Sequence, residues 1–183
     1  DAAQVDGMTA LHWASYHDDL DAAKRLLAAG ARAKVENRYG VTPLALACTN
    51  GDGELVRALL DAGADADATL RGGETALMTA SRTGRVGAVQ ALLDAGAKVD
   101  AADRKGQTAL MWAAAQSQAE MVKFLASKGA DLNARGVIRQ WERKVITEPR
   151  PKDMNKGGFT PLLYAAREGC LECARHLVAA GPQ

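Results

Sequence analysis

The stretch Gly40-Val41-Thr42-Pro43-Leu44, followed by Leu59-Leu60-Asp61-Ala62-Gly63-Ala64-Asp65, decides the fold. Thr42 is suited to cap a helix, and Pro43 then falls on the first helical position, where its missing N–H costs nothing. Leu44, Leu46, Ala47 and Cys48 continue as an apolar helical stretch that stops near Gly51. Glu54 opens a second helix carrying Leu55, Val56, Leu59 and Leu60 at helical spacing. Gly63 sits where a glycine in the left-handed region would end it. The polar, Gly-containing segment that follows predicts an extended turn or hairpin finger.

The same unit recurs. Gly40-x-Thr42-x-Leu44 matches Gly7-x-Thr9-x-Leu11, Gly73-x-Thr75-x-Leu77 and Gly106-x-Thr108-x-Leu110, with threonines spaced by 33 residues (42−9, 75−42, 108−75). A fifth copy, Gly158-x-Thr160-x-Leu162, follows after 52 residues (160−108), an insertion of 19 (52−33). A second landmark keeps this phase: Leu26-Leu27 before Gly30-Ala31, Leu59-Leu60 before Gly63-Ala64, Leu92-Leu93 before Gly96-Ala97, and more loosely Phe124-Leu125 before Gly129-Ala130. Fixed periods of this length signal a solenoid, because one helix pair cannot bury both its faces without neighbours.

Gly-x-Thr-Pro-Leu, the alanine-rich first helix, the glycine before the second helix and Leu-Leu-x-x-Gly-Ala-Asp resemble the ankyrin repeat family. The clearest copies run from Gly40 to Asp65 and from Gly158 to Gly181. Departures are the alanines at Ala10, Ala76 and Ala109 in place of proline, and Asp18 and Ser117 in place of the mid-repeat glycine. The expected fold is an all-α solenoid of about five helix-turn-helix repeats with β-hairpin fingers. Residues 1–134 hold repeats one to four, 135–157 an inserted extended finger, and 158–183 an incomplete fifth repeat. Asp1-Ala2-Ala3 aligns with Asp100-Ala101-Ala102, so the chain opens on the tail of a preceding repeat, and neither end carries a clear polar cap. The expectation is therefore a piece of a longer array, monomeric or joined within that longer chain.

Composition narrows the function. Net charge is +1, with no long block of one sign, which removes the compositional case for nucleic-acid or membrane-surface binding. Aromatics are 4% of the residues while alanine abounds, favouring closely packed small-residue helices. No apolar run is long enough to span a bilayer, and no secretory signal opens the chain.

In the resembled family, partners bind a concave face made of fingers and first helices. Carried over by position, that face includes Tyr16, His17, Arg38, Tyr39, Arg71, Arg82, Arg104, Lys105, Lys156, Phe159 and Arg167. Its excess of arginine beside tyrosine suits an acidic protein or peptide, and scarce aromatics make nucleic acid an unlikely partner. Solvated finger tips are the plainer reading of the same charges. The insertion carries Val137, Ile138, Trp141, Val145 and Ile146, then Glu148-Pro149-Arg150-Pro151. From Arg135 to Lys156 it has seven basic residues against three acidic ones. Inserted loops in repeats tend to lie on the binding face, which makes Trp141 either an anchor for a partner or a packing residue on the next repeat.

Cys170-Leu171-Glu172-Cys173 lacks a following histidine for haem attachment and a βαβ setting for thioredoxin-like chemistry. Cys173 aligns with Leu55 and Met121, a core position, and Cys170 with Asp52 and Gln118 at a helix start. Two packing residues are the favoured reading and a local disulfide the alternative, which would need an oxidising compartment. Cys170, Cys173 and His176 fall short of a metal site. His12 is read as structural, and Trp13 and Trp112, aligned with Leu46, as core. No catalytic constellation is found and no cofactor is expected. The function expected is non-catalytic protein–protein recognition. The alternatives are a regulatory or targeting module of a larger enzyme, or a periplasmic or secreted bacterial stress protein. Gly158-Phe159-Thr160-Pro161-Leu162-Leu163-Tyr164-Ala165-Ala166-Arg167-Glu168-Gly169-Cys170 is similar to bacterial ankyrin proteins of that last kind. The compartment stays open between cytoplasm and periplasm or exterior.

Overall fold

The computed structural model describes residues 2–139 and 156–181. Among the described residues ten helices fall in five pairs: α1 (Ala10–Tyr16) with α2 (Leu20–Ala28), α3 (Pro43–Asn50) with α4 (Gly53–Asp61), α5 (Ala76–Thr83) with α6 (Val86–Asp94), α7 (Ala109–Ala115) with α8 (Ala119–Ser127), and, past the insertion, α9 (Pro161–Arg167) with α10 (Leu171–Ala180). Every first helix begins at the repeated threonine. Thr9, Thr42, Thr75, Thr108 and Thr160 each accept from the N–H three residues on, at His12, Ala45, Met78, Met111 and Leu163. Each such cap contributes about 1 kcal/mol, so the period is written into helix initiation itself. Asp19 caps α2 by accepting from Ala22 N–H, and Asp52 caps α4 by accepting from Glu54 N–H. The Asp52 cap starts α4 at Gly53, one residue before the predicted Glu54.

The first helices stack in order, α1 on α3, α3 on α5, α5 on α7 and α7 on α9, and among the second helices α2 packs on α4, α4 on α6 and α8 on α10. Leu11, Leu44, Leu77 and Leu110 are buried between first helices, and Leu59, Leu92, Leu125 and Leu177 between second helices. The row Ala14, Ala47, Ala80, Ala113 and Ala165, all buried, lets first helices approach closely. One contact is closer still. A Cβ placed on Gly53 would lie 2.8 Å from the carbonyl carbon of Gly87, so α4 and α6 meet backbone to backbone there.

The fingers differ from the expected hairpins. Among the described residues, the regular fingers carry isolated bridges at Ala3–Thr9 and Thr69–Thr75 and no ladder. Within each regular finger one amide closes the turn, Gln4, Asn37, Leu70 and Asp103 N–H donating to the carbonyls of Met8, Val41, Glu74 and Gln107. Asn37 Oδ1 accepts from the N–H groups of Tyr39 and Val41, and Asp103 Oδ1 from those of Lys105 and Gln107. Other finger amides bond sideways to the neighbouring repeat: Arg38 N–H to Asp6 O (2.8 Å), Arg104 N–H to Gly72 O (3.2 Å) and Val137 N–H to Lys105 O (2.7 Å). A strand pair appears at the base of the insertion, where β1 (Ile138–Arg139) runs antiparallel to β2 (Lys156–Gly157).

His12 is wholly buried. Its Nε2 lies 3.0 Å from Val41 O, a group that can only accept, so Nε2 carries the proton. Nδ1 then accepts from Thr9, tying the first cap to the second repeat. The structural reading of this histidine agrees with that geometry. The favoured reading of the Cys170/Cys173 pair does not hold, because the structure joins them in a disulfide. Cys170 caps α10 and Cys173 is its third residue, which brings the two Cα atoms to 5.3 Å. That lies inside the bridging range. Cys48 remains a free, buried thiol, and burial pushes its pKa to about 12.

Three predictions follow from this packing. Asp18 (φ 58°) and Ser117 (φ 55°) hold the left-handed conformation that glycine supplies at Gly51, Gly84 and Gly169. Ser117→Gly should raise unfolding stability by about 1 kcal/mol in urea titrations, the scale of the side-chain penalty there. No gain, or a loss, would show that the serine side chain repays the strain. Burial lowers the His12 pKa below its ordinary 6.5. The unfolded chain therefore binds the proton first, and the His12 contribution, complete above about pH 6.5, is lost as pH falls through the lowered value. His12→Met, the residue its aligned partners Met78 and Met111 carry, should flatten that slope in denaturant midpoints measured from pH 7.5 down; an unchanged slope assigns it to other groups. Finally, thiol titration should find none reactive in the native protein, one (Cys48) after denaturation, and three only after reduction. Three without reductant would mean that Cys170 and Cys173 are free.

Candidate functional site: the finger and first-helix face

In the first helices of repeats one to four the residue two past the capping threonine is core leucine. The residue four past it lies 200° further round, away from that leucine (two steps of ~100°). This second position reads Trp13, Leu46, Thr79, Trp112 and Tyr164 along the stack. Trp13 is 40% exposed, so its assignment to the core is corrected, and Trp112 is half-buried. The alignment with Leu46 suggested core because it counted apolarity and not angle. Trp112 packs against the core as expected, and it also meets the finger and first-helix face through Arg82.

At the first repeat this face is aromatic. Trp13, Tyr16 and His17 form a ring cluster with centroids 5.1–5.9 Å apart, and Tyr16 and Tyr39 are exposed. At the third to fifth repeats it is cationic on aromatic. The Arg82 guanidinium lies 5.6 Å from the Trp112 ring centre. Arg167 lies over Tyr164 (5.0 Å) and Phe159 (5.5 Å), and is also paired with Glu168 at 2.6 Å. Such stacking fixes a flexible side chain while leaving its edge N–H groups to other acceptors. Gln107 Nε2 donates to the Tyr164 hydroxyl at 2.7 Å, fixing that ring too. Two buried donor atoms here have no partner, Arg82 Nε and Trp112 Nε1.

The finger arginines Arg38 and Arg71 also bond from one finger to the next. Arg38 donates through Nη2 to Val5 O, and Arg71 through Nη2 to Arg38 O, each at 2.7 Å. These bonds bridge residues 33 apart, so the two guanidinium groups brace one finger against the next while remaining in the exposed row. Arg104 and Lys105 make no ion pair among the described residues, and lie at the edge of the insertion base. There Lys105, Gln107, Val137, Gly157, Phe159 and Tyr164 line a shallow cleft of about 350 Å³. Trp141 lies outside the described residues, and of Lys156 only the backbone is described. The structure thus brings Tyr16 with His17 into one cluster, aligns Arg38 with Arg71 along the fingers, and sets Phe159 beside Arg167. Arg82 pairs with Trp112, a neighbour the sequence reading had placed in the core.

Among the described residues no group of three or more His, Cys, Asp or Glu side chains is placed to hold a metal ion, and no helix is long and apolar enough to cross a membrane.

Comparison with curated proteins gives no match. Comparison with family models matches residues 1–70 and 50–136 to a model of ankyrin repeats in three copies, and residues 157–182 to the single ankyrin repeat. The matches cover both sides of the insertion. The chain belongs to the ankyrin repeat family.

Proposed function

We propose that the chain is a non-catalytic scaffold that binds an acidic protein or peptide through its finger and first-helix face. Ankyrin repeats are in general protein–protein interaction modules. The observation that carries the specific reading is the pre-set cationic end of the face, where Arg82 is laid on Trp112 and Arg167 on Tyr164 and Phe159. Arginine and aromatic side chains dominate binding energy at interfaces, and here part of their ordering cost is met before a partner arrives. The exposed cluster of Trp13, Tyr16 and His17 offers an aromatic anchor at the other end of the same face.

The Cys170–Cys173 disulfide favours a second reading of setting, an oxidising compartment such as the periplasm or exterior, because cytosolic thiols are kept reduced. It leaves the binding reading unchanged.

Charge reversal tests the proposal. Arg82→Glu/Arg104→Glu avoids the two arginines that brace the fingers, and Arg57→Glu on α4, where Arg57 faces Asp94 at 4.0 Å, serves as the control. Partners captured by the native protein should be titrated against all three forms. The expected result is an affinity lowered at least about tenfold in the double variant, equivalent to about 1.4 kcal/mol, with the control near native. Equal affinity for native and double variant would place recognition elsewhere.

A further inference from the structure

The five second helices begin at the same point of the repeat, but the residue that begins them changes in chemistry. Asp19 and Asp52 place a carboxylate there, each accepting a backbone N–H of the first turn. Arg85 and Gln118 begin α6 and α8 with no side-chain cap bond, and those helices still form in phase. At the fifth repeat Cys170 Sγ accepts from Cys173 N–H at 3.2 Å, three residues on, as Asp19 Oδ1 accepts from Ala22 N–H. Cys170 therefore holds its sulfur where two other repeats hold a negative charge. The carboxylates beside it in sequence, Glu168 and Glu172, are paired with Arg167 and Arg175, each at 2.6 Å, which limits their repulsion of an anion there. The position is half-buried at Asp52, Gln118 and Cys170 and exposed at Asp19 and Arg85, so access to it belongs to the repeat and not to one repeat's place in the chain. Cys173 differs: it is 0% exposed and packs within the core.

The disulfide between them encloses only Leu171 and Glu172. Cross-link stabilisation grows with the loop that is closed, so a bridge this local adds little to a turn that four other repeats make without one. We propose that the pair is a thiol–disulfide exchange site that accepts two electrons from an external dithiol. Cys170 is the sulfur attacked, because it is the one that solvent reaches. A thiolate of the dithiol bonds to Cys170 Sγ, the Cys170–Cys173 bond breaks, and its electron pair leaves on Cys173, which takes up a proton. The dithiol's second thiolate then attacks its own sulfur in the mixed disulfide and expels Cys170 as a thiolate. The dithiol departs as a disulfide, and its two protons end on the two cysteines. A better-held leaving thiolate departs faster, and a stabilised reduced form makes the disulfide a stronger oxidant. The Cys173 N–H and the start of a ten-residue helix supply that hold. None of these steps needs the βαβ setting of thioredoxin-like enzymes; they need one accessible and one buried sulfur at a helix start.

Glutathione, two molecules standing in for the dithiol, tests this on the native chain. The protein is equilibrated at pH 7 in mixtures of reduced and oxidised glutathione, thiols are trapped with iodoacetamide, and the modified cysteines are identified by mass. Cys48, buried and unpaired, reports on the fold in the same sample, because its labelling marks unfolding. The expected result is reversible reduction of the pair with Cys48 unlabelled, since purely structural disulfides resist the glutathione pool. In the reduced, folded chain Cys170 should alkylate at least about threefold faster than in the same chain in urea, the mark of a helix-held thiolate. Two variants identify the attacked sulfur. Cys173→Ala should retain glutathione on Cys170 after exposure to oxidised glutathione, whereas Cys170→Ala should leave Cys173 unmodified. Reduction of the pair only where Cys48 is labelled too overturns the proposal and leaves a structural cross-link. Capture of glutathione on Cys173 as fast as on Cys170, with Cys48 unlabelled, overturns it as well.

Discussion

The covering of one repeat's leucines by the next repeat is the interaction on which the rest of this molecule depends. A pair of helices of seven to ten residues has an apolar stripe on more than one side and too little length to be stable alone in water. Stacking removes Leu44 and Leu59 from water only because their neighbours' alanines and glycines allow backbones to approach, and Gly53 against Gly87 is the tightest instance. Everything local serves that spacing. The threonine caps start each first helix at the same phase, left-handed residues turn the chain between helices, and finger amides bond both within their own finger and across to the next. The finger and first-helix face inherits its order from this arrangement, since side chains at one repeat position are set out in a row by the stack.

What could be read in the sequence was whatever depends on near neighbours. The Thr42-Pro43 start, the Gly51 and Gly63 ends and the 33-residue period are local chemistry repeated, and they fixed the helices almost to the residue. The finger detail was harder. A polar Gly-containing segment looks the same whether its amides bond back to itself or out to another repeat, and only the stack decides. Trp13 shows the limit most plainly. Apolarity at a position aligned with Leu46 suggested the core, but exposure there varies from repeat to repeat with what the adjacent finger and helix supply: Thr79 and Tyr164 are buried at the same position, and Trp13 is not.

The candidate face was legible as a list of positions and not as a set of interactions. Arg38, Arg71 and Arg82 all read as free positive charge in sequence. In three dimensions two of them hold fingers together and the third lies on Trp112. Their distances in sequence, 33 residues for Arg38 to Arg71 and 30 (112−82) for Arg82 to Trp112, give no hint which pairs meet until the register of stacking is known. The cysteine pair erred in the opposite direction. Alignment with core position Leu55 argued for simple packing of Cys173. The partner at the cap position then proved close enough to bond, because the first turn of a helix brings its cap and third residue together.

The constant period has a mechanical corollary. When a chain built this way is drawn out from its ends, the links that fail are nearest-neighbour interfaces, so extension proceeds in units rather than all at once. Each unit released from the regular part of the stack lengthens the tether by the contour of 33 residues, roughly 110 Å at full extension. Four of the five capping threonines are spaced at this step, and the interval before the fifth is longer by the inserted 19 residues (52−33). Under load the molecule would behave as a ratchet of nearly equal teeth with one long tooth near its end, a compliance that a single globular core of the same mass would not have.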